Sequence, residues 1–495
     1  MSKRLKSGSV AAACGVLMGV VPSAFGQVDA TWLTDAPGTF DWSNPVNWDS
    51  NPLYPNNGNG GNDFNAIIAS STNSYIVQLS EDIDLLDLSL TTTTGSLDLA
   101  GFNLSLAGGL THQNSMLTGG GGNLITSAPS GFSDALVTGL GQLTLQGDTS
   151  VRDTTFLGIS NMAAQGNLTF DSTTCDDVCD TNLSFSGPQG IWRGTGDILL
   201  GANSSFSIDA ASTFDIENDQ RMFWDNSGSQ SVFTNAGTLT KTTGAGVTFF
   251  DGMTFQNTGT LQVETGTFRA NSADVPNNNL VAGTWNILNG STLDLVGLNL
   301  AQNRTEVTLQ GAGASFDALR SITRNTAAGN ISVADGATFE TSGNFDNRGA
   351  ITVSNGSTFR VGVGQNFDSI IGGMWARGVL NLNDGVFQFD GADVIILNAT
   401  VHLNGDGAAV IDENGDSGFR NLDRIAANGR FELSNLTTDF TTGGDFTVVD
   451  GGRLVVNEGV TFRVAPGFTL TNFDDTLPGD TLLADGRFEI TGELR

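Results

Sequence analysis

A short motif returns about every twenty residues along this chain, and that recurrence constrains the fold more than any other feature. It reads apolar-x-apolar, then Asn-Gly or Asp-Gly, then a second short strand-like piece. Ile331-Ser-Val-Ala-Asp-Gly-Ala-Thr-Phe339 has this form. Twenty residues later Ile351-Thr-Val353 leads through Ser354-Asn-Gly-Ser-Thr into Phe359-Arg-Val361. Leu380-Asn-Leu-Asn-Asp-Gly-Val-Phe387 and Phe446-Thr-Val-Val-Asp-Gly-Gly-Arg-Leu454 repeat it. Phe233-Thr-Asn-Ala-Gly-Thr-Leu239 is echoed 22 residues on by Phe255-Gln-Asn-Thr-Gly-Thr-Leu261.

Strict alternation, as in Ile351-Thr-Val353, sends one face inward and one outward, which is the signature of a strand. Asn-Gly and Asp-Gly tolerate positive φ and turn the chain sharply. The same dipeptides favour hairpins, so an antiparallel β-sandwich array stays open as an alternative. A twenty-residue period matches one coil of a parallel β-helix, in which like residues stack from coil to coil. The expected fold is therefore an all-β solenoid. Phe316, Phe339, Phe345, Phe359, Phe431, Phe446 and Phe462 are expected to form internal stacks. At about 4.8 Å between neighbouring strands, some ~20 coils would give a rod on the order of 100 Å long.

Composition agrees with this reading. The 65 glycines in 495 residues lack a G-X-Y period, which excludes collagen, and 39% hydrophobic residues with 31 Phe exclude a disordered acidic chain. No amphipathic helix is evident. The repeat is regular over 231–495 and less so over 63–230, where Leu85-Leu-Asp-Leu-Ser-Leu90 still alternates. Within that first half, Thr91–Thr94 and Gly119–Gly122 read as loops bulging from the rod. Residues 27–62, rich in Trp, Gly and Asn, form a separate N-terminal segment expected to cap the solenoid.

Residues 1–26 read as a secretory leader. Lys3, Arg4 and Lys6 precede an apolar core from Val10 to Val21, and Ala24-Phe25-Gly26 supplies small residues for cleavage. Cys14 lacks the sequence context of a lipid-modified cysteine, and no other stretch is long and apolar enough to span a bilayer. Removing the leader's three positive charges takes the formal net charge from −31 to −34 and leaves Lys241 as the remaining lysine. Such a field repels a phosphate backbone, so nucleic acid is not expected as a partner.

Few residues offer chemistry. His112 and His402 are the only histidines. The two cysteines beyond the leader, Cys175 and Cys179, have C-x3-C spacing, which in an oxidising compartment reads as a small disulfide staple. A thiolate metal site lacks further Cys or His ligands. Glycosidases need two carboxylates converging at ~5 or ~6.5–9.5 Å. The adjacent pairs Asp176/Asp177, Glu81/Asp82 and Asp474/Asp475 would instead point to opposite faces of a strand. Asp412-Glu-Asn-Gly-Asp-Ser-Gly418 places oxygens at Asp412, Asn414 and Asp416, as calcium prefers, although its glycine and terminal acid are misplaced for a calcium loop. Trp32, Trp42 and Trp48 would either cover the open end of the solenoid or present faces to stack on glycans.

Residues 31–56, with Trp32, Gly38, Trp42, Asn47-Trp48, Pro52 and Pro55, carry a W…G…W…NW…P pattern. Together with Phe-x-Asn-x-Gly-Thr-Leu and Gly283-Thr-Trp-Asn-Ile-Leu-Asn-Gly-Ser-Thr-Leu293, this resembles large secreted bacterial proteins with autotransporter-type β-strand repeats. Those proteins often end in a PEP-CTERM sorting tail. The resemblance implies a right-handed parallel β-helix on or outside the cell surface and transfers no catalytic residue. Phe488-Glu-Ile-Thr-Gly-Glu-Leu-Arg495 departs from it, with neither sorting tail nor apolar anchor, so either release or a longer sequence is expected. The expectation is an exported, non-enzymatic rod at the cell surface or in the extracellular matrix, adhering multivalently to polysaccharide or cell-surface material. No cofactor is expected other than calcium. A carbohydrate-active β-helix enzyme and a simple glycan-binding module are the alternatives.

Overall fold

The computed structural model describes residues 26–69, 72–449, 451–464, 470–473, 487–490 and 493–494. The expected leader (Gly26 excepted) and the pair Asp474/Asp475 lie outside them. Leu88–Thr91, Gly95–Asp98 and Leu104–Leu106 make three short strands separated by tight corners, and Leu110–Gln113 begins the next turn. Leu88 then pairs with Leu110, Ser96 with Met116 and Leu104 with Leu124, each in parallel. Repeating this path builds a β-solenoid with three faces.

The first face is one sheet of 20 strands running from Gly26–Thr31 to Arg487–Ile490. The second and third begin as sheets of 13 and 9 strands and continue as shorter sheets. Every ladder among the described residues is parallel except the two-residue hairpin of Ile370–Ile371 with Met374–Trp375. Two isolated antiparallel bridges, Trp32 with Trp48 and Ile411 with Ser417, lie outside the ladders. That pattern excludes the β-sandwich array.

The Asp-Gly and Asn-Gly turns adopt the conformation their chemistry favours but not the hairpin. Asp335 and Gly336 have φ of 56° and 80°, Asn355 and Gly356 of 53° and 73°. The strand before the turn, Asn330–Ala334, is already paired on both sides by Glu306–Gln310 and Ala350–Ser354. Its backbone is therefore satisfied, and the chain leaves the corner to start the second face at Thr338–Glu340. Burial drives this choice, because Ile331, Val333 and Phe339 all reach one common core.

Aromatic columns fill that core. Phe339 stacks on Phe359 at 5.1 Å, Phe359 on Phe387 at 5.3 Å, and Phe446 on Phe462 at 4.9 Å. Phe345 lies 5.4 Å from Phe359, Phe431 5.1 Å from Phe419, and Phe316 6.3 Å from Trp285. Polar residues also enter the interior in a column. Asn303 donates to Asn325 at 3.0 Å, which donates to Asn347 at 2.9 Å, and Asn235 donates likewise to Asn257 at 2.8 Å. These bonds from turn to turn offset most of the cost of burying the amides, although Asn235 Oδ1 has no partner.

Two segments expected as bulging loops are tight corners. Gly119–Gly122 is stacked between turns: Gly101 N–H donates to Gly119 O, and Gly121 N–H to Gly139 O. A Cβ at Gly122 would lie 2.0 Å from Phe102 O, so the glycines permit contact between corners rather than a free loop. In the other segment Thr92 is buried, and its hydroxyl accepts from Gly95 N–H.

Candidate functional site

Trp32, Trp42 and Trp48 are 7%, 0% and 0% exposed. Their rings pack edge to face, with centroids 5.0 Å (Trp32–Trp48) and 4.8 Å (Trp42–Trp48) apart. Each indole N–H is satisfied internally, by Thr34 O, Pro55 O and Trp42 O respectively. The glycan-stacking reading is therefore corrected: no indole face is presented. The cluster joins the N-terminal end of the continuous apolar core, where the first strands of two faces lack an outer neighbour. Trp192, Trp285 and Trp375 are buried farther along, whereas Trp224 is half-buried with its N–H on Ser227 O.

The expected disulfide is also overturned. Cys175 and Cys179 are free and stand at the two ends of one strand, Cys175–Cys179. Four residues of extended chain separate their Cα atoms by roughly 13 Å, against the ~7 Å limit for a bridge. The strand forms because Val178 enters the core and Asp176, also inward, finds partners there. Asp176 Oδ1 accepts Thr154 N–H at 2.9 Å, and Oδ2 accepts the Ser172 hydroxyl. Burial pushes its carboxyl up to about 6 against these hydrogen bonds, and the nearby Asp153 and Asp177 add to the rise. Asp177 faces outward, accepting from the Thr155 hydroxyl at 3.1 Å and the Cys175 thiol at 3.2 Å. Burial and Asp177 together push the Cys175 thiol up, which suppresses thiolate chemistry.

Asp412, Asn414 and Asp416 form a turn whose lead carboxylate is already committed. Asp412 Oδ1 accepts the N–H of both Asn414 and Asp416 at 2.9 Å, and Oδ2 lies 3.3 Å from Arg420 Nη1. Asp412 is thus engaged by its own turn and by Arg420, with Asn414 and Asp416 exposed beside it, an acidic turn that holds together without an ion. Asn404 and Asp406, which precede this turn, accept from Asn435 and Thr437. Among the described residues no group of three His, Cys, Asp or Glu side chains is gathered as a metal site.

Two further titratable groups, Lys241 and His112, lie inside the rod. Lys241 is fully buried; its ammonium donates to Asn218 O at 2.8 Å, Thr243 O and Thr248 Oγ1 at 3.1 Å, and pairs with Asp219 at 2.7 Å. His112 stacks edge-on to Phe132 at 5.9 Å, and burial lowers its pKa to about 4. His402 is on the outer side of the first face, 2.7 Å from Ser434 Oγ.

What the surface offers is shallow and polar. One groove of about 850 Å³ runs over several turns, its lining including Tyr75, Ile76, Met116, Asn114, Asp134 and Asp153. Partial burial opposes ionisation of Asp153, but donors from Thr173 and Thr174 outweigh it and pull the carboxyl down to about 2. It is a fixed anion there, and the carboxyl raised to about 6 nearby, Asp176, is buried inside the rod rather than on the groove. On the first face, two adjoining troughs share Leu110, Thr111 and Pro129 and extend from Asp29 and Asn65 to Thr169 and Gln189. Sequence reading missed these surfaces because their members are single outward residues of separate turns.

No helix among the described residues is long and apolar enough to cross a membrane. No family model matches the chain, and neither a curated protein nor a solved structure is significantly similar to it.

Proposed function

We propose that this chain is an exported, non-enzymatic β-solenoid that works at the cell surface or in the extracellular matrix as a structural and adhesive rod. Its partners would be extracellular polysaccharide or cell-surface material. The observation that carries the reading is the pair of adjoining polar troughs on the first face, where Ser89, Thr111, Ser150 and Thr169 share one outward column, broken at Gly131, with Asn65 and Gln189 at either end. Ser, Thr, Asn and Gln side chains match the hydroxyls of a sugar polymer without forming a deep pocket. Many weak contacts on a rigid lattice gain affinity through effective concentration. The leader-like residues 1–26 and the resemblance to secreted repeat proteins favour export.

Applying the purified chain to a polysaccharide array, while assaying for released oligosaccharides, tests the reading. Retention that grows with glycan length, without product, is the expected result. Release of oligosaccharides, or no retention on any glycan, would overturn it.

A further inference from the structure

In a chain with 52 acidic and 21 basic residues, three arginines converge on one carboxylate. Arg324 and Asp346 are neighbours in register on consecutive turns of the third face. Arg348 follows two residues later, and Arg377 comes from beyond the hairpin on the following turn. Arg324 Nε and Arg348 Nε lie 3.2 and 2.7 Å from Asp346 Oδ2, and Arg377 Nε lies 2.8 Å from Oδ1. Asp346 has a side-chain exposure of only 6%, while the three arginines are 41%, 42% and 35% exposed.

One guanidinium is enough to neutralise one carboxylate. The other two leave the patch at +2, or +1 if Asp368 is counted; Asp368 neighbours Asp346 but makes no ion pair with any of the three. All three arginines engage Asp346 through Nε, and no terminal amino group of the three is hydrogen-bonded to it. Arg377 Nη2 donates to Asp368 O at 3.1 Å. For Arg324 and Arg348 no terminal amino group has a partner among the described residues. Two partly exposed guanidiniums are thus held in place by a buried anion, with terminal donors that no described residue engages. A guanidinium fork can meet both oxygens of a carboxylate or two oxygens of a sulfate group.

We propose that Arg324, Arg348 and Arg377, positioned by Asp346, form a binding site for the carboxylate or sulfate groups of an acidic polysaccharide. The choice of a polymeric ligand rests on the adhesive reading above; the oxyanion chemistry does not. The negative field of the whole chain suppresses non-specific retention of polyanions, so any retention points to a local positive site.

The test uses the full chain at about 0.15 M salt, where the Debye length is ~8 Å. Polygalacturonate and dextran sulfate are the probes, with neutral dextran and free galacturonate as comparisons. The double variant R324Q/R348Q keeps Arg377 to neutralise Asp346, and R463Q, which removes a guanidinium paired with Asp439, serves as control. Circular dichroism and thermal melts verify that all variants fold. Wild type and R463Q should retain the polyanions, and R324Q/R348Q should bind at least roughly tenfold more weakly. Preference for polygalacturonate or dextran sulfate identifies the carboxylate or the sulfate as the group recognised. The proposal is overturned if the double variant binds like wild type, or if wild type prefers no polyanion over neutral dextran. Competition by free galacturonate as strong, per sugar, as by the polymer would overturn the polysaccharide assignment. Retention of neutral glycans despite any of these failures would leave the adhesive reading standing.

Discussion

Asp176 sits inside the rod with a carboxyl raised from 3.8 to about 6, chiefly by burial. Between about pH 4 and pH 6 the folded chain holds this proton and the unfolded chain does not. Stability therefore falls as pH rises through that window and stays lower above it. A shift of two units corresponds to about 3 kcal/mol, or on the order of a hundredfold in a local opening equilibrium. Asp176→Asn removes the ionisation while keeping an acceptor for Thr154 N–H. Its amide must donate to Ser172 Oγ, reversing the present bond, and Ser172 already accepts from Asp153 N–H at 2.9 Å. That reversal takes back part of the gain, so about 1–2 kcal/mol of net stabilisation is expected at pH 8, and between none and a loss of about 1 kcal/mol at pH 4.5.

A stacked solenoid opens locally, so the assay should be local too: hydrogen exchange of Leu168–Ser172 and Cys175–Cys179, variant against wild type at each pH. Wild type alone would mislead. His112, lowered from 6.5 to about 4, binds its proton in the unfolded chain first, so its contribution is lost as pH falls through the same range. The two slopes oppose each other. Only the difference between variant and wild type isolates Asp176, and a difference that stays constant from pH 4.5 to pH 8 would refute the argument.

Lys241→Met should loosen the strand Thr238–Lys241 by about 1–3 kcal/mol, because Asp219 loses its ion pair and Asn218 O keeps the Thr248 hydroxyl as its remaining donor; unchanged exchange protection there would count against it. Asn325→Leu interrupts the inward amide column on both sides and should cost about 1–3 kcal/mol, read as faster exchange in Asn330–Ala334, which neighbours its corner. Protein purified under oxidising conditions, then denatured, should take up alkylating agent at both Cys175 and Cys179; an intramolecular bridge detected by mass spectrometry would contradict the strand that separates them.

The solenoid was legible because its signals are repeated: an inward Phe or Ile misread in one turn is corrected by the next. Features that occur once were not. Cys175-Asp-Asp-Val-Cys179 lacks strand-forming residues except Val178, and nothing local announces that Ser172 and Thr154 will satisfy Asp176 from neighbouring positions. Gly119–Gly122 looks unconstrained in sequence, since the backbone it touches, at Phe102 and Gly139, belongs to adjacent turns. The arginine site was invisible for the same reason. Arg324, Arg348 and Arg377 meet only because one turn from Arg324 lands on Asp346 and a hairpin returns Arg377 to the same face.

Stacking also explains how so acidic a chain tolerates a lattice that puts like positions about 4.8 Å apart. Carboxylates in one column would repel, yet across turns Asp is repeatedly met by an amide. Asn355 Nδ2 donates to Asp335 at 2.7 Å from one side and Gln310 from the other. Asn271 donates to Asp251 at 2.7 Å, Asn421 to Asp393 at 2.9 Å, and Gln78 to Asp98 at 2.8 Å. These donors hold the Asp335 carboxyl below its usual range. Asn355→Asp turns a donor into a second anion beside Asp335. Its destabilisation should be greatest at 10 mM salt, where the Debye length is ~30 Å, and should shrink at 1 M, where it is ~3 Å. A loss of protection equal at both salt concentrations would mean that the lost hydrogen bond alone matters, and that interleaved amides do not manage the charge.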